Sequence, residues 1–260
     1  MTEAPAALVF RDLTLGYDRR PAVHHLSGTI REGELVALMG PNGAGKSTLL
    51  NGIVGRASIL GGAVDRCGRS VAEIAYLPQR AQIDAGFPIS VHDFVATGAW
   101  RRLGPWRRAG RDEEERIRAA LAQVSLRGFE DRPIGTLSGG QLQRALFART
   151  IVQDARLILL DEPFAAIDGR TTEDLLGVVA GWHGEGRTVV AALHDLAQVR
   201  ETFPITLLLA RELIAWGPTA SVLTPDNLAR SRSLVEAWAR DAEHCHAGEA
   251  PARLRPGVAA

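Results

Sequence analysis

With 260 residues, 46% of them hydrophobic, the chain is long enough for one large domain or a domain with a sub-domain, and apolar enough to pack a core along most of its length. Its 30 basic and 30 acidic residues cancel, which argues against a broad nucleic-acid-binding face. No apolar run approaches the roughly 20 residues of a membrane span, Met1-Thr2-Glu3-Ala4-Pro5 lacks the basic and apolar regions of a signal peptide, and the cysteines Cys67 and Cys245 suit a reducing compartment; a cytosolic location is expected.

In chain order, Leu8-Val9-Phe10 and Leu13-Thr14-Leu15 read as short strands, and Glu34-Leu35-Val36-Ala37-Leu38-Met39 as an apolar strand. That strand runs into Gly40-Pro41-Asn42-Gly43-Ala44-Gly45-Lys46-Ser47-Thr48, a match to the phosphate-loop pattern, and a helix is expected from Ser47 onward. Strand, Gly-rich loop and helix together make the match strong, because backbone N–H groups and a helix N-terminus must converge on the anion. Lys46 is the one lysine among the 30 basic residues. A compact ammonium on a flexible stem reaches between two phosphates, where a wide guanidinium fork fits poorly. A nucleoside triphosphate is the expected ligand.

From about residue 84 to residue 137 the composition turns Arg- and Glu-rich with helical periodicity, as in Asp112-Glu113-Glu114-Glu115-Arg116-Ile117, and reads as an inserted helical sub-domain. Trp100 and Trp106, among Arg101, Arg102, Arg107 and Arg108, either pack this region or form a contact surface on it. Two further buried strands follow: Leu157-Ile158-Leu159-Leu160 runs into Asp161-Glu162-Pro163, and Thr188-Val189-Val190-Ala191-Ala192-Leu193 into His194-Asp195. Apolar runs alternating with helical stretches predict a largely parallel sheet covered on both faces, with ligand chemistry at the carboxyl ends of its strands. Beyond Trp238 the chain turns to Ala, Gly, Pro and charge, so residues 241–260 are expected to form a flexible tail. Within it, Glu243-His244-Cys245-His246 has the residue types of a zinc site without the spacing of a preformed one; His24-His25 is no better.

Leu137-Ser138-Gly139-Gly140-Gln141, followed by Leu142-Gln143-Arg144-Ala145 and standing just upstream of Leu160-Asp161-Glu162, resembles the signature of the ATP-binding cassette (ABC) family. The resemblance covers nearly the whole chain. It implies an α/β fold, the P-loop NTPase (RecA-like) core of the ABC ATPase type, with an inserted helical sub-domain and a short N-terminal antiparallel β region, all within residues 1–240. It further implies that Tyr17 stacks on adenine, that Gly40 to Thr48 and Lys46 hold the phosphates of ATP, and that Ser47, Asp161 and Gln79 attend Mg²⁺. Glu162 is the implied catalytic base, His194 the switch histidine at the γ-phosphate, and Gln79 the link between core and helical sub-domain. Ser138, Gly139, Gly140 and Gln141 would close on the γ-phosphate held by a second copy of the chain, and Asp168 would lie in the loop that couples the two copies.

The implied partners are a second copy, forming an ATP sandwich, and an integral membrane permease docking between core and helical sub-domain near Gln79, with the ATPase peripheral on the inner face of the cell membrane. Pro78-Gln79-Arg80, Ile83-Asp84, Phe87-Pro88-Ile89-Ser90-Val91 and Asp93, with Asp131-Arg132-Pro133-Ile134-Gly135 and Glu162-Pro163-Phe164-Ala165, are similar to ATPases of zinc- and manganese-type importers. That branch implies an extracytoplasmic metal-binding protein as an indirect partner and no nucleic acid. The alternatives are an importer of haem or iron chelate, or a non-transport ABC ATPase. With one lysine in the chain, an ATP-based acylating probe is expected to label Lys46 as the only side-chain amine; mass spectrometry should find that label gone in Lys46→Arg with folding retained.

Overall fold

The computed structural model describes residues 4–79, 88–104, 110–165 and 167–245. Arg80, Ile83, Asp84 and Phe87 of the metal-type stretch, together with Trp106, Arg107, Arg108 and His246, lie outside the described residues.

The chain opens with a hairpin of β1 (Ala6–Tyr17) and β2 (Arg20–Arg31). The two residues between them, Asp18 and Arg19, have φ of 47° and 62°, the left-handed pair that a two-residue turn needs to match strand twist. The two short strands expected from the sequence are one strand. Asp12 sits at φ 49° where the register with β2 shifts between Phe10 and Leu13, and this bulge breaks the apolar alternation without ending the strand. After β3 (Leu35–Met39) and α1 (Lys46–Ile53), β4 (Ser58–Asp65) pairs with β1 and completes a three-stranded antiparallel sheet in the order β2-β1-β4.

Next along the chain are β5 (Ile74–Leu77), α2 (Val91–Ala96), α3 (Trp100–Leu103), α4 (Arg111–Gln123) and α5 (Gly139–Gln153). β6 (Leu157–Asp161), α6 (Gly169–Gly184), β7 (Thr188–Ala192), α7 (Leu196–Thr202), β8 (Ile205–Ala210) and β9 (Glu212–Pro218) follow, then α8 (Thr219–Val222) and α9 (Pro225–Cys245). The second sheet runs β5-β6-β7-β3-β8-β9; its first five strands are parallel and β9 is antiparallel to β8.

Side chains alternate across this sheet and build two cores. Leu35, Ala37 and Met39 of β3, Ile158 and Leu160 of β6, and Val189 and Ala191 of β7 face the helices. Val36 and Leu38, Leu157 and Leu159, and Val190 and Ala192 face the antiparallel sheet and α1. Both faces are thus covered, as expected. On the helical side, Phe147 of α5 stacks on Trp182 of α6 with centroids 5.9 Å apart and on Phe164 at 6.2 Å, binding α5 to the segment that follows β6. Helices α2 and α4 pack on α5, so the inserted segment shares its core with the helix that follows residue 137.

Of the tail expected over residues 241–260, residues 246–260 lie outside the described residues. α9 continues through residue 241 to Cys245, because Ala, Arg and Glu are good helix formers and the helix is anchored from outside. The Trp238 ring stacks on His24 at 5.0 Å and lies 5.3 Å from the Arg211 guanidinium carbon.

His92 links α2 to α4: one ring nitrogen lies 2.9 Å from Glu114 and the other 3.3 Å from Asp93, with Arg118, Glu130 and Asp131 lining the same hollow. Burial lowers the His92 pKa, but the hydrogen bonds and charges of Glu114 and Asp93 outweigh it and the net shift is upward. The stabilisation is therefore fully present below the unfolded value of about 6.5 and is lost as pH rises through the raised folded value. Urea unfolding of the wild type and His92→Gln should show a stability gap that is largest in mild acid and shrinks in mild alkali.

Candidate functional site

Ala192, the last residue of β7, pairs in register with both Leu38 of β3 and Asp161 of β6, so three strands end level with one another. The chain leaves these ends as the Gly-rich loop, as Glu162, and as His194. The polar residues expected to carry chemistry are thereby delivered to one sheet edge by strands that are themselves buried.

The loop is built for close backbone approach. Gly40 has φ 151°, and a Cβ there would meet the Leu209 carbonyl oxygen at 2.1 Å; Gly45, capping α1, has φ 96° and would meet the Ala22 carbonyl oxygen at 2.6 Å. Arg211 N donates to Ala44 O at 2.8 Å, tying the loop to the turn between β8 and β9. Lys46 is 6% exposed, and its Nζ donates to Gly40 O at 2.8 Å and Pro41 O at 3.2 Å. Burial lowers the Lys46 pKa, opposed by the nearby charges of Glu162 and Asp161.

Ser47 Oγ donates to Asp161 Oδ1 at 3.0 Å. Asp161 is 2% exposed; burial and then the neighbouring Glu162 charge raise its pKa, while hydrogen bonds from Ser47 and Tyr76 and the charge of Lys46 oppose the rise. Two negative groups sit side by side, and the nearest ammonium is spent on loop carbonyls. A hydroxyl and a carboxylate that disfavours its own charge form a hard-oxygen donor set suited to Mg²⁺. Gln79 Nε2 donates to Glu162 Oε2 at 2.7 Å, fixing that carboxylate at the mouth of a cleft of about 460 Å³ lined by the loop from Asn42 to Thr48, Ala22, Gln79 and Glu162.

Two features of this cluster are not legible in its sequence motifs. Glu162 has φ 49°, a left-handed conformation costing a non-glycine residue about 1–2 kcal/mol, and it is held by Glu162 N donating to Ala192 O at 3.1 Å and by Ala165 N donating to Glu162 O at 3.1 Å. The second is a relay: Asn51 Nδ2 donates to Tyr17 OH at 3.3 Å, and Tyr76 OH lies 3.2 Å from Asn51 Oδ1 and 3.4 Å from Asp161 Oδ2. Tyr76, next to the recognised Pro78-Gln79 pair, and Asn51, one turn beyond Ser47, were the available signals. Tyr17 itself is 45% exposed.

His194 is exposed and lines a second cleft of about 670 Å³ that shares Glu162 with the first. Ser138, Gly139, Gly140 and Gln141 stand apart: none lines either cleft. Ser138 caps α5 in a reciprocal box, its Oγ accepting from Gln141 N at 3.3 Å and its N–H donating to Gln141 Oε1 at 3.0 Å. A Cβ on Gly139 would meet nothing within 4 Å and one on Gly140 only Ile167 at 3.9 Å, so packing within the chain demands neither glycine. Asp168 caps α6 through Thr171, whose backbone and side-chain hydrogen bonds hold the Asp168 pKa down.

Residues 23–165 match the family model described as ABC transporter. The zinc transport system ATP-binding protein TroB of Treponema pallidum is 40% identical over 224 residues, covering 85% of this chain and 84% of TroB. The manganese transport system ATP-binding protein MntB of Bacillus subtilis is 36% identical over 224 residues, covering 85% of this chain and 90% of MntB. Among solved structures, an ABC transporter in an inward-facing conformation matches with TM-score 0.75 and 30% identity over 86% of this chain and 87% of the other. An ATP-binding cassette in its ADP conformation matches with TM-score 0.73 at 22% identity over 87% of this chain and 98% of the other, a likeness of fold.

Because the folded-state pKa of Asp161 is raised, its contribution to stability is favourable at low pH and lost as pH rises through the folded value. Thermal melts of the protein without added Mg²⁺ or nucleotide should therefore place Asp161→Asn above the wild type in mild alkali, with the gap closing as the pH is lowered. Added Mg²⁺ and nucleotide should raise the melting temperature of the wild type more than that of the variant.

Proposed function

Since the chain belongs to the ABC transporter family and is an ABC-type ATPase that binds ATP, we propose that it powers import of a divalent metal ion, zinc first and manganese second, as a dimer beneath a membrane permease. The observation that carries the hydrolytic part is the assembly at the strand ends, where Ser47 reaches Asp161 and Gln79 reaches Glu162 beside the loop that holds Lys46. The metal assignment rests on relatives that are zinc and manganese transport ATP-binding proteins.

In this reading ATP takes the Lys46 ammonium from the Gly40 and Pro41 carbonyls, and the loop N–H groups with the α1 N-terminus cradle its phosphates. Ser47 and Asp161 hold Mg²⁺, with Gln79 beside them; when bound, that ion neutralises phosphate charge. Tyr17 stacks on adenine. Glu162, turned toward the cleft by its left-handed backbone and steadied by Gln79, orients the attacking water and takes its proton, and His194 keeps water and base in register.

The open N-terminus of α5 supports the dimer. Ser138, Gly139, Gly140 and Gln141 are remote from their own phosphate loop, and the two glycines leave bare backbone for a phosphate held by a second copy. Asp168, beside α6, would lie in the contact between copies. No helix among the described residues is long and apolar enough to cross a membrane, so passage of the ion falls to the permease, with the ATPase on the inner face of the cell membrane and a metal-binding protein on the far side. The permease sits in the cleft between β5 and helices α2 and α5, next to Gln79.

The experiment is elemental mass spectrometry of chelator-stressed cells lacking this protein, after restoring either the wild type or Glu162→Gln. Wild type alone should restore zinc or manganese, and Glu162→Gln should bind ATP but lose about 10²–10⁴-fold in turnover. If neither version alters any metal, the import assignment is overturned.

A further inference from the structure

The cleft of about 460 Å³ between β5 and helices α2 and α5 is lined by Val54, Ile74, Phe94 and Leu146 among others, and among the described residues no carboxylate lines it. It nevertheless contains two guanidinium groups, Arg56 and Arg149. Arg149 rises from α5 and donates Nε to Thr97 Oγ1 at 2.8 Å; among the described residues it makes no other side-chain hydrogen bond or ion pair. Arg56 lies with its guanidinium carbon 5.2 Å from the centre of the Tyr76 ring, also without a carboxylate partner among the described residues. Burial and then the like charge of Arg56 lower the Arg149 pKa.

Three arginines elsewhere in the chain are neutralised: Arg102 meets Glu113 at 2.6 Å, Arg144 meets Asp174 at 3.0 Å and Arg187 meets Asp154 at 2.8 Å. A guanidinium offers five N–H donors in a fork that fits a carboxylate, and holding it partly desolvated beside a second positive charge costs free energy that an arriving anion would offset. Arg149 also has a simpler structural task, since its bond to Thr97 ties α5 to the end of α2. That task occupies Nε alone and leaves the terminal fork over.

The geometry points to an Asp or Glu on the segment of the permease that enters this cleft, its carboxylate received by the Arg149 fork with Arg56 supplying the second charge. This rests on the reading that a permease docks there and adds the chemistry by which it is recognised. The cleft also has a direct line to the candidate active site: the Tyr76 ring lies under Arg56 while its hydroxyl reaches Asp161. A carboxylate that draws Arg56 toward itself would change what lies on that ring.

The test uses native membranes carrying the wild type, Arg149→Met or Arg149→Lys. Lys46 is the only native lysine, so Arg149→Lys adds one side-chain amine, and a zero-length carbodiimide joins an amine to a touching carboxylate as an amide, the carbodiimide taking up the water as a urea. Mass spectrometry of Arg149→Lys should find position 149 joined to an Asp or Glu of a multi-span membrane protein, whether or not Arg149→Met folds. Where Arg149→Met keeps its unfolding midpoint and basal ATP hydrolysis, the same membrane protein should co-purify about thirtyfold less well than with wild type, and Arg149→Lys should restore it.

Equal co-purification with Arg149→Met, or a cross-link from position 149 confined to this chain's own carboxylates, overturns the carboxylate while leaving a permease in the cleft. If wild type brings down no multi-span protein from membranes, the docking reading itself fails.

Discussion

The candidate site depends on a backbone constraint more than on any side chain. β3, β6 and β7 hydrogen-bond in a register that makes Leu38, Asp161 and Ala192 neighbours, and their side chains have almost no access to water. A one-residue slip of any of them would exchange the two cores, because alternate residues face opposite sides of the sheet. The penalty for such a slip fixes where the strands end, and hence where the loop, the carboxylate pair and the histidine begin. Precision at the site is inherited from packing some distance below it.

On this rigid edge the charges are arranged in mutual tension. Asp161 and Glu162 are adjacent, Asp161 is buried and disfavours its own ionisation, and the Lys46 ammonium is buried yet bonded to loop carbonyls. A left-handed Glu162 backbone adds local strain. A triphosphate with the proposed divalent cation would supply what each member lacks: anionic oxygens for the lysine and positive charge for the carboxylates. Stability forgone in the protein alone would then be recovered on binding, which would make the site selective for the complete pair over either part.

Much of this was legible in the sequence because the required residue types are rare combinations. The phosphate loop announced itself through its glycines and solitary lysine, and the strands through apolar runs that end in charge. The bulge at Asp12 was not legible, since one residue inserted into alternation looks like the end of a strand. Neither was the course of α9 past Trp238 as far as Cys245: its Ala and charged residues read as tail, and the contacts of His24 and Arg211, distant in sequence, with the tryptophan were not visible in the pattern. The relay through Asn51 and Tyr76 and the backbone of Glu162 depend on three-dimensional meeting and on φ, which no spacing encodes. The cleft arginines stayed hidden for a simpler reason, that 2 arginines among so many become notable only when the described residues set no carboxylate beside them.

The solitary lysine also makes the chain a single-cut substrate. A protease specific for lysyl peptide bonds has one target, the bond between Lys46 and Ser47, and that bond lies at the first turn of α1 with the lysine side chain buried beneath the loop. Cleavage there severs the N-terminal hairpin and β3 from everything that follows, yet it requires the loop to leave the sheet edge first. The rate of that one scission is therefore a clock for opening of the phosphate loop, read as two bands on a gel without any label added to the protein.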